Sequence, residues 1–124
     1  MRLLLDTHVL LWWLADDFLS PPAQQALSDV HSAVFVSAAS AWEISIKKKL
    51  GKLVAPDDLE NQLEANGFNA LPIRVADGLL AGALPSYHRD PFDRMIIAQA
   101  MRESLTVVTR DSIFRSYKIS CLDA

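Results

Sequence analysis

Four acidic residues stand at changes of element along the chain: Asp6, Glu43, Asp93 and Asp111. The clearest setting is His88-Arg-Asp-Pro-Phe-Asp-Arg-Met-Ile-Ile-Ala-Gln-Ala100, which reads as a polar loop turning into a helix. Asp90 suits the N-cap, and Pro91 suits the first helical position, where its missing N–H is no loss. Asp93 then falls in the first turn, near the positive end of the helix dipole. Met95, Ile96, Ala98 and Ala100 turn to a core. A carboxylate in such a place is a cap or a ligand.

Each acid alone has an ordinary explanation. Asp6 can cap the following helix, Ser40-x-x-Glu43 matches a capping box, Asp90-x-x-Asp93 approaches one, and Asp111 can fold an Asx turn. Four carboxylates gathered at one place would instead repel, keeping some protonated or recruiting a cation. An all-oxygen set, with no cysteine cluster and no well-spaced histidine pair, suits Mg²⁺ or Mn²⁺ better than Zn²⁺.

The elements that would gather them are readable. Arg2–Leu5, Val34–Val36, Leu105–Thr109 and a stretch near Ile119–Leu122 are short apolar strands, and Ala70–Ile73 reads as an edge strand because Pro72 cannot donate to a ladder. Helices are expected over His8–Ala15, from Ser20-Pro21 to about Ser32, from Ser37 or Ser40 to Gly51, from Pro56-Asp57-Asp58 to Gly67, over Val75–Leu84, and from Asp90 onward. Alternating strands and helices predict an α/β fold: a three-layer α/β/α sandwich with a mostly parallel central sheet. In such sheets ligands bind beyond the carboxyl ends of the strands, where these acids fall.

The 124 residues fit one domain spanning 1–124, and a chain that is 51% hydrophobic and 22% charged is a folding one. The net charge of −3 gives no general attraction for nucleic acid, so a basic site must be local. The lone Cys121 excludes an internal disulfide and fits a reducing cytosol. Val9–Ala15 is too short to span a bilayer and follows Asp6 and His8 rather than a signal-type segment, so the expected location is cytoplasmic, without a membrane.

Leu4-Leu5-Asp6-Thr7, Ser37-x-x-Ser40-x-Trp42-Glu43-Ile44, Asp93-Arg94-Met95-Ile96-Ile97-Ala98-Gln99-Ala100 and Val107-Val108-Thr109-Arg110-Asp111 together resemble the successive motifs of PIN-domain ribonucleases, most of all the VapC-type toxins of type II toxin–antitoxin pairs. The resemblance covers nearly the whole chain. It implies a PIN-like fold in which Asp6, Glu43, Asp93 and Asp111 are the catalytic, metal-binding acids, holding one or two Mg²⁺ or Mn²⁺ ions. It implies hydrolysis of RNA phosphodiesters to a 5′-phosphate and a 3′-hydroxyl. It also implies a homodimer neutralised by a cognate VapB-type antitoxin, with operator DNA bound only through that antitoxin. Asp90, three residues before Asp93, also brings acid to the helix mouth. Counting from the Ile-Ala-x-Ala end of the motif favours Asp93 as ligand and leaves Asp90 as a cap or supporting group.

Thr7, Ser37 and Thr109 are placed to hydrogen-bond carboxylates or a scissile phosphate, or simply to cap. Arg89, Arg94 and Arg110 each flank a site acid and, with Lys47, are the candidates for RNA contact. His88 can stack on or contact a base, though a lone loop histidine more often lies exposed, and the three tryptophans are expected to serve the core or a partner. Two other readings are a PIN-like module that binds without catalysis, and a receiver or phosphatase-type α/β domain. The second fits poorly: Asp6 stands without a paired acid, His8 occupies the position where a dehalogenase-like phosphatase needs Asp, and Lys118 precedes its strand.

Overall fold

The computed structural model describes residues 1–124. The chain runs β1 (Arg2–Leu5), α1 (Thr7–Leu14), α2 (Pro21–Ser28), β2 (Ala33–Ser37), α3 (Ala38–Lys49), α4 (Leu59–Ala65), β3 (Asn69–Leu71), α5 (Val75–Ala83), α6 (Pro91–Glu103), β4 (Thr106–Thr109), a 3₁₀ helix (Ser112–Tyr117) and β5 (Cys121–Asp123). The strands form one sheet in the order β3-β2-β1-β4-β5. Every pairing is parallel, where a mostly parallel sheet was expected.

A parallel sheet needs a crossover between neighbouring strands and cover on both faces. Strand alternation supplies the two faces. Leu3, Leu5, Val34, Val36 and Val108 pack with Val9 and Leu10 of α1, Ala23 and Leu27 of α2, and Ile44 of α3. Leu4 and Val107 point the other way, against Ala81 of α5, Ile96 and Ile97 of α6, and Phe114 and Tyr117 of the 3₁₀ helix. The result is the expected three-layer sandwich. No helix is long and apolar enough to cross a membrane.

The strand order reverses between β1 and β4. From β1 the chain builds outward through β2 to β3, then returns to add β4 and β5 on the other side. A crevice opens at such a switch point, outside the carboxyl ends of the two strands. The order differs from the 2-1-3-4-5 arrangement of receiver domains, which removes the receiver part of that alternative on topology.

Local chemistry sets most helix ends. Asp6, Ser20, Ser37 and Asp90 each cap a helix with a side-chain oxygen. Gly51 and Gly67, at φ +70° and +69°, take the left-handed conformation that follows α3 and α4. Helix α2 stops at Ser28, short of the expected Ser32, because Asp29 turns extended and its Oδ1 accepts from the His31 backbone N–H at 2.8 Å. Helix α4 starts at Leu59, one residue after Asp58, while Asp57 pairs with Lys48 of α3.

Candidate active site

Asp6 is the residue between β1 and α1. As N-cap it accepts from the Val9 backbone N–H through Oδ1 at 2.8 Å, and its Oδ2 accepts from the Thr109 hydroxyl at 2.6 Å. The same Thr109 oxygen accepts from the Asp111 backbone N–H at 3.0 Å. One threonine at the end of β4 therefore ties together the acids that follow the two strands at the switch point. Burial pushes the Asp6 carboxyl above the usual carboxylate range, with the Thr109 and Val9 hydrogen bonds opposing.

Glu43 comes from α3. The cap of that helix is Ser37, whose Oγ accepts from the Ala39 N–H at 3.0 Å, so Glu43 lies too deep in the helix to complete a capping box with Ser40. The capping-box explanation is thereby removed. Glu43 is only 3% exposed. Its Oε2 accepts from Lys47 Nζ at 2.5 Å, one turn on, and its Oε1 is buried without a hydrogen-bond partner. Native structures rarely leave a buried carboxylate oxygen unsatisfied, so it calls for an occupant such as a cation.

Asp93 and Asp90 divide the roles left open between them. Asp90 Oδ1 accepts from the backbone N–H groups of Phe92 at 2.8 Å and Asp93 at 3.3 Å, which is a cap. Asp93 extends into the cluster. Burial first, then the charges of Asp90, Asp6, Glu43 and Asp111, push its carboxyl up to about 8. In distance terms Asp93 is joined to Asp111 through His88 Nε2, which lies 2.9 Å from Asp93 Oδ2 and 3.0 Å from Asp111 Oδ2. Asp111 opens the 3₁₀ helix, with Oδ1 accepting from the Ile113 N–H at 2.9 Å.

His88 is the residue that the sequence reading left outside the site. It is not loose in its loop: its side chain is 12% exposed, and Nε2 sits 2.9 Å from Asp93 Oδ2 and 3.0 Å from Asp111 Oδ2. One ligand atom from each of His88, Asp93 and Asp111 lies within 4.8 Å of the others. The available signal was its position two residues before the capping Asp90. Lys47 also faces this pocket, and its ammonium is held charged above the ordinary lysine range by Glu43, Asp90 and Asp93.

The remaining candidates are placed differently. The Thr7 hydroxyl donates to Ser40 Oγ at 2.9 Å, and the Ser37 hydroxyl donates to Gln99 Oε1 at 2.5 Å, so neither bonds a carboxylate. Fully buried Gln99 also donates to the Pro72 carbonyl at 3.1 Å, linking α6 to the chain beyond β3. Arg94 turns its guanidinium onto the carbonyls of Ala81, Gly82, Leu84, Pro85 and His88, closing the C-terminal end of α5. Arg110 donates to the Phe18 and Ala124 carbonyls and lies over the Trp12 ring at 4.0 Å. Both arginines are occupied by the fold. Arg89 is exposed.

Trp42 is 63% exposed and meets Phe92 edge-on at 5.4 Å, so it is not a core residue. A groove of about 880 Å³ lies between α3 and α4 and is lined by Ile44, Lys48, Pro56 and Leu59 among others. None of the four acids lines it, and the chemistry lies with the acids rather than with this volume.

The sequence model of the PIN domain matches residues 3–119. The chain belongs to the PIN-domain family. This PIN domain is 33% identical over 120 residues to Ribonuclease VapC22 of Mycobacterium tuberculosis, covering 93% of this chain and 91% of that protein. Its fold is similar to VapBC2 from Rickettsia felis bound to a DNA fragment from their promoter, with a TM-score of 0.71, 15% identity, and coverage of 99% of this chain and 98% of that one. It is likewise similar to DNA-bound VapBC from Salmonella typhimurium, with a TM-score of 0.71, 18% identity and the same coverage. The PIN family and the parallel three-layer fold expected from the motifs are borne out.

Proposed function

We propose that this PIN domain is an endoribonuclease toxin that hydrolyses RNA phosphodiester bonds with a divalent cation and is neutralised by a cognate VapB-type antitoxin. The observation that carries it is a chain of contacts at the carboxyl edge of the sheet: the Thr109 hydroxyl bonds Asp6 and accepts from the Asp111 backbone N–H, and His88 Nε2 meets both Asp111 and Asp93. The identity to a VapC ribonuclease and the likeness to VapBC complexes support it.

The donor set fits a hard cation. It is made of carboxylate oxygens, and one of them, Glu43 Oε1, is buried without a partner. Asp6, Glu43, Asp93 and Asp111 would hold Mg²⁺ or Mn²⁺, as one ion or two. When bound, such an ion supplies positive charge that makes a water more acidic and offsets the charge growing on the phosphoryl oxygens.

The protein's own part is orientation and proton transfer. Thr109 aims Asp6 and anchors the Asp111 backbone, while the Asp90 cap holds the first turn from which Asp93 projects. A water aligned opposite the leaving oxygen attacks phosphorus, and a site carboxylate takes its proton. The bond to the 3′ oxygen breaks, leaving a 5′-phosphate, and the released 3′ oxygen takes a proton from solvent water to become the 3′-hydroxyl. Arg89, exposed and next to His88 in the chain, and Lys47, paired with Glu43, are the cations we assign to phosphate. We further propose action as a homodimer in the cytoplasm, from one domain spanning 1–124.

Total RNA incubated with the wild type and with Asp6→Ala, in Mg²⁺ and in chelator, tests the proposal when the cut ends are mapped. Cleavage by the wild type in Mg²⁺ alone, leaving 5′-phosphates, is expected. Equal cleavage by Asp6→Ala, or cleavage that survives chelation, would reject it.

A further inference from the structure

Both ring nitrogens of His88 are engaged, and their partners decide where the proton sits. Nδ1 lies 3.3 Å from the backbone nitrogen of Asp90. That amide can only donate, so Nδ1 accepts and bears no proton. The ring's proton is therefore on Nε2, the atom that faces Asp93 Oδ2 and Asp111 Oδ2 together. A single N–H thus spans carboxylates carried by two elements, the start of α6 and the start of the 3₁₀ helix.

The imidazole is held for this task. The ring of Phe114 meets it edge-on at 5.7 Å. The His88 backbone N–H donates to the Tyr117 hydroxyl at 2.8 Å, and that hydroxyl donates to the Pro85 carbonyl at 2.6 Å. Arg94 fastens the other side of the residue through the His88 carbonyl at 3.1 Å. All three bracing side chains, Phe114, Tyr117 and Arg94, come from outside the loop.

We infer that His88 is a positioning residue: its Nε2–H gathers Asp93 and Asp111 to the spacing at which they meet a divalent cation, without becoming a ligand itself. This rests on the cation-dependent reading above. A ligand role would need a lone pair on Nε2 and hence a proton on Nδ1, directed at the Asp90 N–H. That would replace a hydrogen bond by two opposed donors. Groups that hydrogen-bond ligating side chains change metal affinity by about 10–100-fold when removed.

The test is a calorimetric Mn²⁺ titration of the metal-free full chain without RNA, for the wild type, His88→Ala and His88→Gln. His88→Ala should bind Mn²⁺ at least about tenfold more weakly, and His88→Gln, whose amide can still donate, should recover part of the loss. Nitrogen-15 NMR of the wild-type imidazole should find the proton on Nε2 both before and after Mg²⁺ addition, a readout independent of any variant's folding. Unchanged Mn²⁺ affinity in His88→Ala, or transfer of the proton to Nδ1 on adding Mg²⁺, overturns the inference. Wild-type protein that binds Mn²⁺ but leaves RNA intact rejects the nuclease reading while this one stands. Wild-type protein that takes up no Mn²⁺ overturns both.

Discussion

The Thr109 hydroxyl donates to Asp6 Oδ2 at 2.6 Å across the seam between β4 and β1, and its oxygen then accepts from the Asp111 backbone N–H. Both sides of the seam are buried at this point. The orientation of one acid and the path of the chain leading to another thus depend on a single side chain.

Replacing Thr109 by the near-isosteric Val keeps the packing and removes both hydrogen bonds. Leaving a buried carboxylate oxygen short of a donor is expected to destabilise the fold by about 1–3 kcal/mol. RNA cleavage should fall by tenfold or more, while Thr109→Ser retains most of it. Urea denaturation alongside a cleavage assay of the three proteins checks both expectations.

The raised acids give the metal-free protein a defined pH dependence. With Asp93 at about 8 in the folded state and near 3.8 unfolded, the native state binds the extra proton between those values. Stability is therefore greatest at the acidic end and falls as pH rises toward 8, with a slope approaching about 1.4 kcal/mol per pH unit for that one proton. Asp6 shifts in the same direction. Melting curves from pH 5 to 8 should show the decline in EDTA, a shallower one in Asp93→Asn, and its suppression by excess Mg²⁺.

Lys47 is the ammonium within hydrogen-bonding distance of buried Glu43. Lys47→Met should destabilise the metal-free chain by about 1–3 kcal/mol, because the carboxylate loses its only donor. Saturating Mg²⁺ should restore much of that loss by supplying another counter-charge. Chemical denaturation with and without Mg²⁺ measures the difference.

The arginines should separate by function. Arg89→Ala should weaken RNA binding and lower the salt slope by roughly one contact's worth, since each phosphate contact releases counterion. Arg94→Lys should leave that slope unchanged but destabilise the chain, with faster hydrogen exchange over residues 81–88, where the guanidinium fork binds successive carbonyls. Binding isotherms at several salt concentrations and exchange measurements distinguish the two.

Much of this molecule is legible in its sequence because the deciding interactions are local. Asp6, Ser20, Ser37 and Asp90 cap helices through amides two or three residues away. The apolar runs of β1, β2 and β4 are buried as short parallel strands must be. The acids are visible as types at the ends of elements. What those types meet is not visible. Arg94 and Arg110 stand beside site acids in the chain, yet their partners lie as far away as Phe18, and only the folded arrangement brings those carbonyls within reach. His88 is similar: its contact with Asp111 spans 23 positions and needs α6 to fold back against β4.

Crystals of the full chain soaked in Mn²⁺, with the ion located by anomalous scattering, test most directly whether these scattered acids form one cation site. The expected result is a peak at roughly 2.0–2.6 Å from oxygens of Asp6 and Asp93, with Glu43 or Asp111 completing the protein ligands, and loss of that peak in Asp93→Asn. A peak only in the groove between α3 and α4, or none near these carboxylates at saturating Mn²⁺, would contradict it.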